Sequence, residues 1–227
     1  MSSLQAHTRN GFSIYQCKAE TDCYKSIHNT SSVAKRIKKL VTELNLDEFI
    51  RNKFGDRLSK HHVFDIVFSG CPNGCSKPQI NDIGIMGRSI IAINQAECIS
   101  CMKCIRACKE NALKIVESAV IVDDKACVGC SECVRACPVD AIIETNKGYR
   151  VIAGGRLGRH PQLALEVVPF VNEAELDSVV RGLIEYFKEY ATTEERLADT
   201  IARLGIESVQ QYLQKNYLQK NTEEQSA

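Results

Sequence analysis

Twelve cysteines are the residues of this 227-residue chain best suited to chemistry, and all lie between positions 17 and 137. Eight of them form two runs of one design: Cys98, Cys101, Cys104 and Cys108, then Cys127, Cys130, Cys133 and Cys137, each spaced C-x2-C-x2-C-x3-C. Two-residue gaps turn three sulfurs of a run inward around one centre, as the thiolate ligation of a [4Fe–4S] cubane requires. The other four stand as two pairs, Cys17-x5-Cys23 and Cys71-x3-Cys75. Cysteines packed as small hydrophobes would be scattered, and a secreted disulfide scaffold would be a shorter chain, so repeated short spacings point to metal ligation.

With Pro138 after its last cysteine, the second run resembles the bacterial two-cluster ferredoxin signature. In that family the fourth ligand of each cluster comes from the other run. The resemblance therefore implies one set of Cys98, Cys101, Cys104 and Cys137, and another of Cys127, Cys130, Cys133 and Cys108. Lys109 follows Cys108 where many such proteins have proline, a departure that removes no ligand. Zinc, the alternative for clustered thiolates, usually takes two separated C-x2-C pairs rather than tandem four-cysteine runs.

These cysteines must be held by elements the rest of the chain supplies. The two runs repeat with a period of 29 residues, the offset from Cys98 to Cys127, and each is followed by a short apolar strand, 112–116 or 141–144. Upstream, Thr30 to Ser32 is expected to cap a helix with the stripe Val33, Ile37, Leu40, Val41 and Leu44, and Asn45 to cap a second. Residues 63–68 read as a buried strand and 83–93 as another. Beyond the repeat come expected strands at 149–153 and 163–170. Three helices end the chain, one capped by Asn172, one spanning 193–204 and one spanning about 206–218. The expected fold is α+β: an α/β cluster domain over 11–88 and 147–218, interrupted by a ferredoxin-like module over 89–146, with tails at 1–10 and 219–227.

Composition excludes several classes. The 29 basic and 28 acidic residues leave a net charge of +1, which offers no global field for nucleic acid. No apolar run approaches the ~20 residues of a membrane span, and the polar start has no signal-peptide core. A cytoplasmic protein with reduced thiols is expected.

The remaining four cysteines admit a third cluster or zinc on spacing alone. Their surroundings carry a resemblance. Ser69-Gly-Cys-Pro-Asn-Gly-Cys75, six residues, then Asp82-Ile-Gly-Ile85 is similar to the signature of siroheme-dependent sulfite and nitrite reductases. The upstream C-x5-C pair and the loop Gly154-Gly-Arg-Leu-Gly-Arg-His-Pro161 resemble the same family, and inserted ferredoxin modules are similar to those of its dissimilatory-type members. The resemblance implies a third [4Fe–4S] cluster on Cys17, Cys23, Cys71 and Cys75, with Cys75 bridging to the siroheme iron. Siroheme carries eight carboxylates that need cationic partners when enclosed. Arg156 and Arg159 are the expected partners, on a loop that Gly154 and Gly155 bring close to the macrocycle, with Lys77 and Arg88 as further candidates.

The implied activity is reduction of sulfite or nitrite by electrons from a donor protein, passed through the inserted clusters. The alternative is a three-cluster electron carrier without siroheme that serves a partner reductase. Family members usually place a half-domain ahead of the first cysteine pair, whereas sixteen residues precede Cys17 here. A partner subunit completing the site is therefore expected.

Overall fold

The computed structural model describes residues 9–20 and 23–218. In chain order these form β1 (Phe12–Gln16), α1 (Thr30–Glu43), α2 (Leu46–Phe54), β2 (Phe64–Ser69), β3 (Ile83–Ile93), α3 (Lys103–Ala107), β4 (Leu113–Val116), β5 (Ala119–Val122), α4 (Glu132–Ala136), β6 (Ile142–Ala153), β7 (Leu165–Val171), α5 (Glu173–Tyr190), α6 (Leu197–Leu204) and α7 (Ile206–Leu213). Of the expected tails 1–10 and 219–227, residues 1–8 and 219–227 lie outside the described residues.

One mixed sheet runs in the order β1-β2-β3-β6-β7. Strands β1, β2 and β3 are parallel neighbours, while β6 is antiparallel to both β3 and β7. Alternation decides its faces. Phe64, Ile66 and Phe68 of β2, Ile83 and Ile85 of β3, and Tyr149 and Val151 of β6 join one buried cluster with Ile37 and Val41 of α1 and Leu176, Val180 and Leu183 of α5. On the opposite face the 3-10 turn Pro78–Ile80 packs against the sheet. A Cβ at Gly84 would stand 2.7 Å from both Ile152 and the Pro78 carbonyl, so the loop after β2 lies flat on the sheet.

Strands β3 and β6 pair from Ile83–Ala153 to Ile93–Ile142, with one irregularity at Ile90/Ile91, and reach beyond the sheet to form the stem of a second unit. There β4 and β5 make a hairpin, and Leu113, Val120 and Ile142 form a small core with Cys104 and Cys133. The separate strands expected at 141–144 and 149–153 are thus one strand. Cross-strand pairing with β3 carries the polar stretch 145–148 through in extended form, where local composition suggests a break.

Cap positions also differ from expectation. Asn29, not Thr30, accepts from the Ser31 N–H at the start of α1, and Asn45 sits in a left-handed conformation without a side-chain cap bond. Asn172 caps α5 as expected, accepting from the Glu175 N–H at 2.9 Å. The helix expected over 193–204 begins at Leu197, where the Arg196 N–H donates to the Asp199 carboxylate at 3.1 Å. No helix among the described residues is long and apolar enough to cross a membrane.

Leu183, fully buried where α5 meets the sheet, tests this layering. Leu183→Ala is expected to lower unfolding free energy by about 2–5 kcal/mol, measured by denaturant titration. A loss near zero would mean that the helix layer does not close the core.

Candidate metal centres

The first site begins at the ends of two parallel strands. Gln16 pairs with Phe68 in the last register position of β1 and β2, and the Cys17 N–H then donates to the Phe68 carbonyl at 3.0 Å. Both cysteine pairs leave the sheet side by side. The Gly70 N–H donates to the Cys17 sulfur at 3.2 Å, and the Asn73 amide donates to the Cys75 sulfur at 2.9 Å. Such donors stabilise thiolate charge and tune any metal held there.

Gly70 is required because three segments meet on it. A Cβ there would stand 2.3 Å from Ser26 Oγ, 2.5 Å from Ala19 Cβ and 2.8 Å from the His28 carbonyl. Its own carbonyl accepts the Ile27 N–H at 2.8 Å and would lie 2.3 Å from a Cβ at Gly87. The segment that carries Cys17 and His28, the loop 71–75 and β3 are thereby closed together.

The result is a cavity of about 390 Å³ lined by Cys17, Cys23, Cys71 and Cys75, with Gln16, Lys18, Ser26 and Ser76 at its sides. Cys23 and Cys75 are exposed, Cys17 and Cys71 half-buried. Burial raises the Cys71 thiol above its ordinary pKa, and negative charge on Cys23, Cys17 and Cys75 raises it further. Four mutually repelling thiolates are what a cationic iron core relieves, so loading should release protons.

The two inserted runs line smaller cavities. One is bounded by Cys98, Cys101, Cys104 and Cys137, the other by Cys108, Cys127, Cys130 and Cys133. These are the crossed sets implied by the ferredoxin resemblance. Short helices α3 and α4, which sequence periodicity did not reveal, start inside each run and bury Cys104 and Cys133. Met102 and Ser131, in left-handed conformation, turn the chain into them. Burial pushes the Cys133 thiol up to about 12, with Cys130 and Cys127 adding to it. At Cys137 burial is outweighed by the N–H groups of Val139, Ile142 and Ala141, which hold its pKa low. Among the described residues no three His, Cys, Asp or Glu side chains close tightly enough for a single metal ion.

The expected siroheme residues divide. Gly154 and Gly155 donate to the Asp82 and Asn81 carbonyls at 2.9 and 3.0 Å, and Ala164 donates to the Gln79 carbonyl at 2.7 Å. The Gly-Arg loop therefore hangs on the segment that follows Cys75. Gly155 has backbone within 2.6–2.8 Å of where a Cβ would be, so no larger residue fits. Arg159 and Lys77 are exposed, Lys77 in a left-handed conformation, and Leu157 and Leu163 stand exposed on the loop. Arg156 is engaged elsewhere, bound to Asp199 at the start of α6. Arg88 is also committed, donating to the Pro169 carbonyl at 2.9 Å and the Cys127 carbonyl at 3.1 Å. An exposed thiol, two exposed cations and apolar side chains on tethered loops suit a polycarboxylate macrocycle, and Arg156 and Arg88 have partners within the scaffold.

Sequence reasoning read Asp82 only as part of a signature. Buried, it accepts from Arg196 at 2.8 Å and from the Asp65 N–H at 2.9 Å, and burial pushes its pKa up to about 6. It ties the sheet to α6 directly beneath the Gly-Arg loop. Its apolar surroundings along the chain gave a signal of burial, but its partner lies 114 residues away.

A family model described as the nitrite and sulphite reductase 4Fe-4S domain matches residues 12–222. The coenzyme F420-dependent sulfite reductase of Methanocaldococcus jannaschii is 34% identical over 182 residues, covering 78% of this chain and 29% of that protein. A subunit of the anaerobic sulfite reductase of Salmonella typhimurium is 29% identical over 103 residues, covering 45% of this chain and 26% of that relative. The chain thus spans under a third of the length of either relative. Among solved structures, that of dissimilatory sulfite reductase I superposes with a TM-score of 0.58 at 17% identity, covering 89% of this chain and 52% of that one. That likeness supports the fold.

Gly70→Ala tests the closure of the first site. The variant is expected to lose about four irons per chain while keeping the inserted clusters, read by iron analysis with electron paramagnetic resonance. Unchanged iron would show that the strand-end contact does not form that centre.

Proposed function

Because the chain belongs to the family of the nitrite and sulphite reductase 4Fe-4S domain, we propose that it is a siroheme-type sulfite- or nitrite-reducing protein or a subunit of one. The observation that carries this reading is the four-cysteine cavity with Cys75 exposed beside the tethered Gly-Arg loop. Cys17, Cys23, Cys71 and Cys75 hold one [4Fe–4S] cluster, and the crossed sets of the insert hold two more. Siroheme, when bound, supplies the iron at which sulfite or nitrite undergoes six-electron reduction.

The chain's own residues then have separable tasks. Cys75 presents its sulfur at the open side of the cavity, where one thiolate can serve both cluster and macrocycle. Lys77 and Arg159 would pair with macrocycle carboxylates, and Gly155 lets the loop that carries Arg159 close on the backbone of residues 79–81 after Cys75. Arg156, held by Asp199, fixes the loop to α6. Gly70 N–H and Asn73 stabilise the thiolates as electrons arrive. A donor protein supplies electrons through the insert, and a partner subunit supplies further cations around the substrate anion. Thiolates and clusters of this kind suit a reducing, anaerobic cytoplasm.

A second reading, a three-cluster electron carrier for a partner reductase, is favoured by one observation. Arg156 and Arg88, half of the expected siroheme cations, are engaged within the scaffold.

The absorption spectrum of anaerobically purified protein, with iron and acid-labile sulfide counted on the same sample, separates the two. Isobacteriochlorin bands, iron exceeding sulfide by about one atom per chain, and sulfite or nitrite reduction by reduced viologen are expected. A featureless brown shoulder with iron equal to sulfide would overturn the siroheme reading in favour of the carrier.

A further inference from the structure

The two inserted cysteine runs are alike in sequence but not in placement. The second is fastened to the base of the β3–β6 stem, next to the main sheet, and to the segment after Cys23. The Ser89 N–H donates to the Gly129 carbonyl at 3.0 Å and Arg88 to the Cys127 carbonyl at 3.1 Å. Ser131, buried, hydrogen-bonds to Ser89 and donates to Glu144 at 2.5 Å. Glu132, beside Cys133, pairs at 3.5 Å with Lys25, which follows Cys23 by two residues. The first run instead packs on Ile93, Val120 and Ile142 within the insert. Among the described residues, its segment 98–108 shows no hydrogen bond or ion pair to the sheet domain.

Between the second run and the first site lies a cleft of about 250 Å³. Cys71 and Cys130 both line it, as do Lys25, Glu132, Arg135 and Arg150. Cys71 also lines the cavity of the first site, and Cys130 that of the inner inserted set. One wall of the cleft therefore belongs to each thiolate set. Lys25, Lys109, Arg135 and Arg150 outnumber Glu110 and Glu132 around it, so the space between two anionic centres is net positive.

Resting on the three-cluster reading above, we infer that Cys108, Cys127, Cys130 and Cys133 form the relay that faces the first site across this cleft, while Cys98, Cys101, Cys104 and Cys137 form the remote entry set. Each transfer moves one electron and no proton: one centre is oxidised by one electron as the next is reduced by one. The first electron comes from a reduced low-potential flavin or iron–sulfur protein. Lys25 stabilises added negative charge on both sides of the cleft, whereas Lys103, exposed between Cys101 and Cys104, acts on the remote set alone.

The test is a redox titration of the whole protein followed by electron paramagnetic resonance, comparing the parent with Lys25→Gln and Lys103→Gln. Neither change touches a ligand or the core. Lys25→Gln is expected to lower the potentials of two clusters, the first-site cluster and one inserted cluster. Lys103→Gln is expected to lower only the other inserted cluster. The relay is overturned if Lys25→Gln leaves all three unchanged, shifts the first-site cluster alone, or shifts the same inserted cluster as Lys103→Gln. Iron analysis of the same samples separates the failures. Fewer than about twelve irons per chain overturns the three-cluster reading and the relay together, and a full complement with the wrong pattern overturns the relay alone.

Discussion

Parallel pairing of β1 with β2 is the constraint on which the molecule's chemistry depends. Cysteine pairs whose first members are 54 positions apart in sequence have no local reason to meet. The register Phe12↔Phe64 through Gln16↔Phe68 delivers them to one end of the sheet, and the next backbone bond, Cys17 to Phe68, extends the ladder into the site. Ordering both strands costs conformational entropy that buried Phe64, Ile66 and Phe68 offset against α1 and α5. The contact at Gly70 is possible only without a side chain, so sheet register and site geometry stand or fall together.

The same sheet carries the insert. Strands β3 and β6 belong to the main core at one end and to the small core around Leu113, Val120 and Ile142 at the other. A single stem thus serves both units, and Arg88 and Ser89 on it hold the second cysteine run. The insert's core is small, and its buried members include Cys104 and Cys133, so metal loading and folding of this unit should be strongly coupled.

Sequence reasoning reached the features that are local. The C-x2-C-x2-C-x3-C spacings, the β-branched run of β2, the 83–93 strand and the Asn172 cap each depend on residues within a few positions. Membership of the 4Fe-4S reductase family was also legible, because its signature is a contiguous stretch. Features set by distant partners were not. Strand β1, Phe-Ser-Ile-Tyr-Gln, has no strong alternation and exists by pairing with β2. Arg88 looked available for an anion, yet its acceptors lie 39 and 81 residues away. Arg156 sits on the expected loop, but Asp199, 43 residues on, claims its guanidinium.

The central claim is that twelve cysteines form three thiolate sets, two of them crossed and the third open toward a macrocycle at Cys75. Mössbauer spectroscopy of protein enriched in iron-57 tests it most directly. The account predicts three cubane components of equal weight and one further component, about a quarter the weight of a cubane, from a macrocyclic iron coupled to one of them. Mononuclear tetrathiolate iron, two-iron clusters, or iron confined to the insert would contradict it.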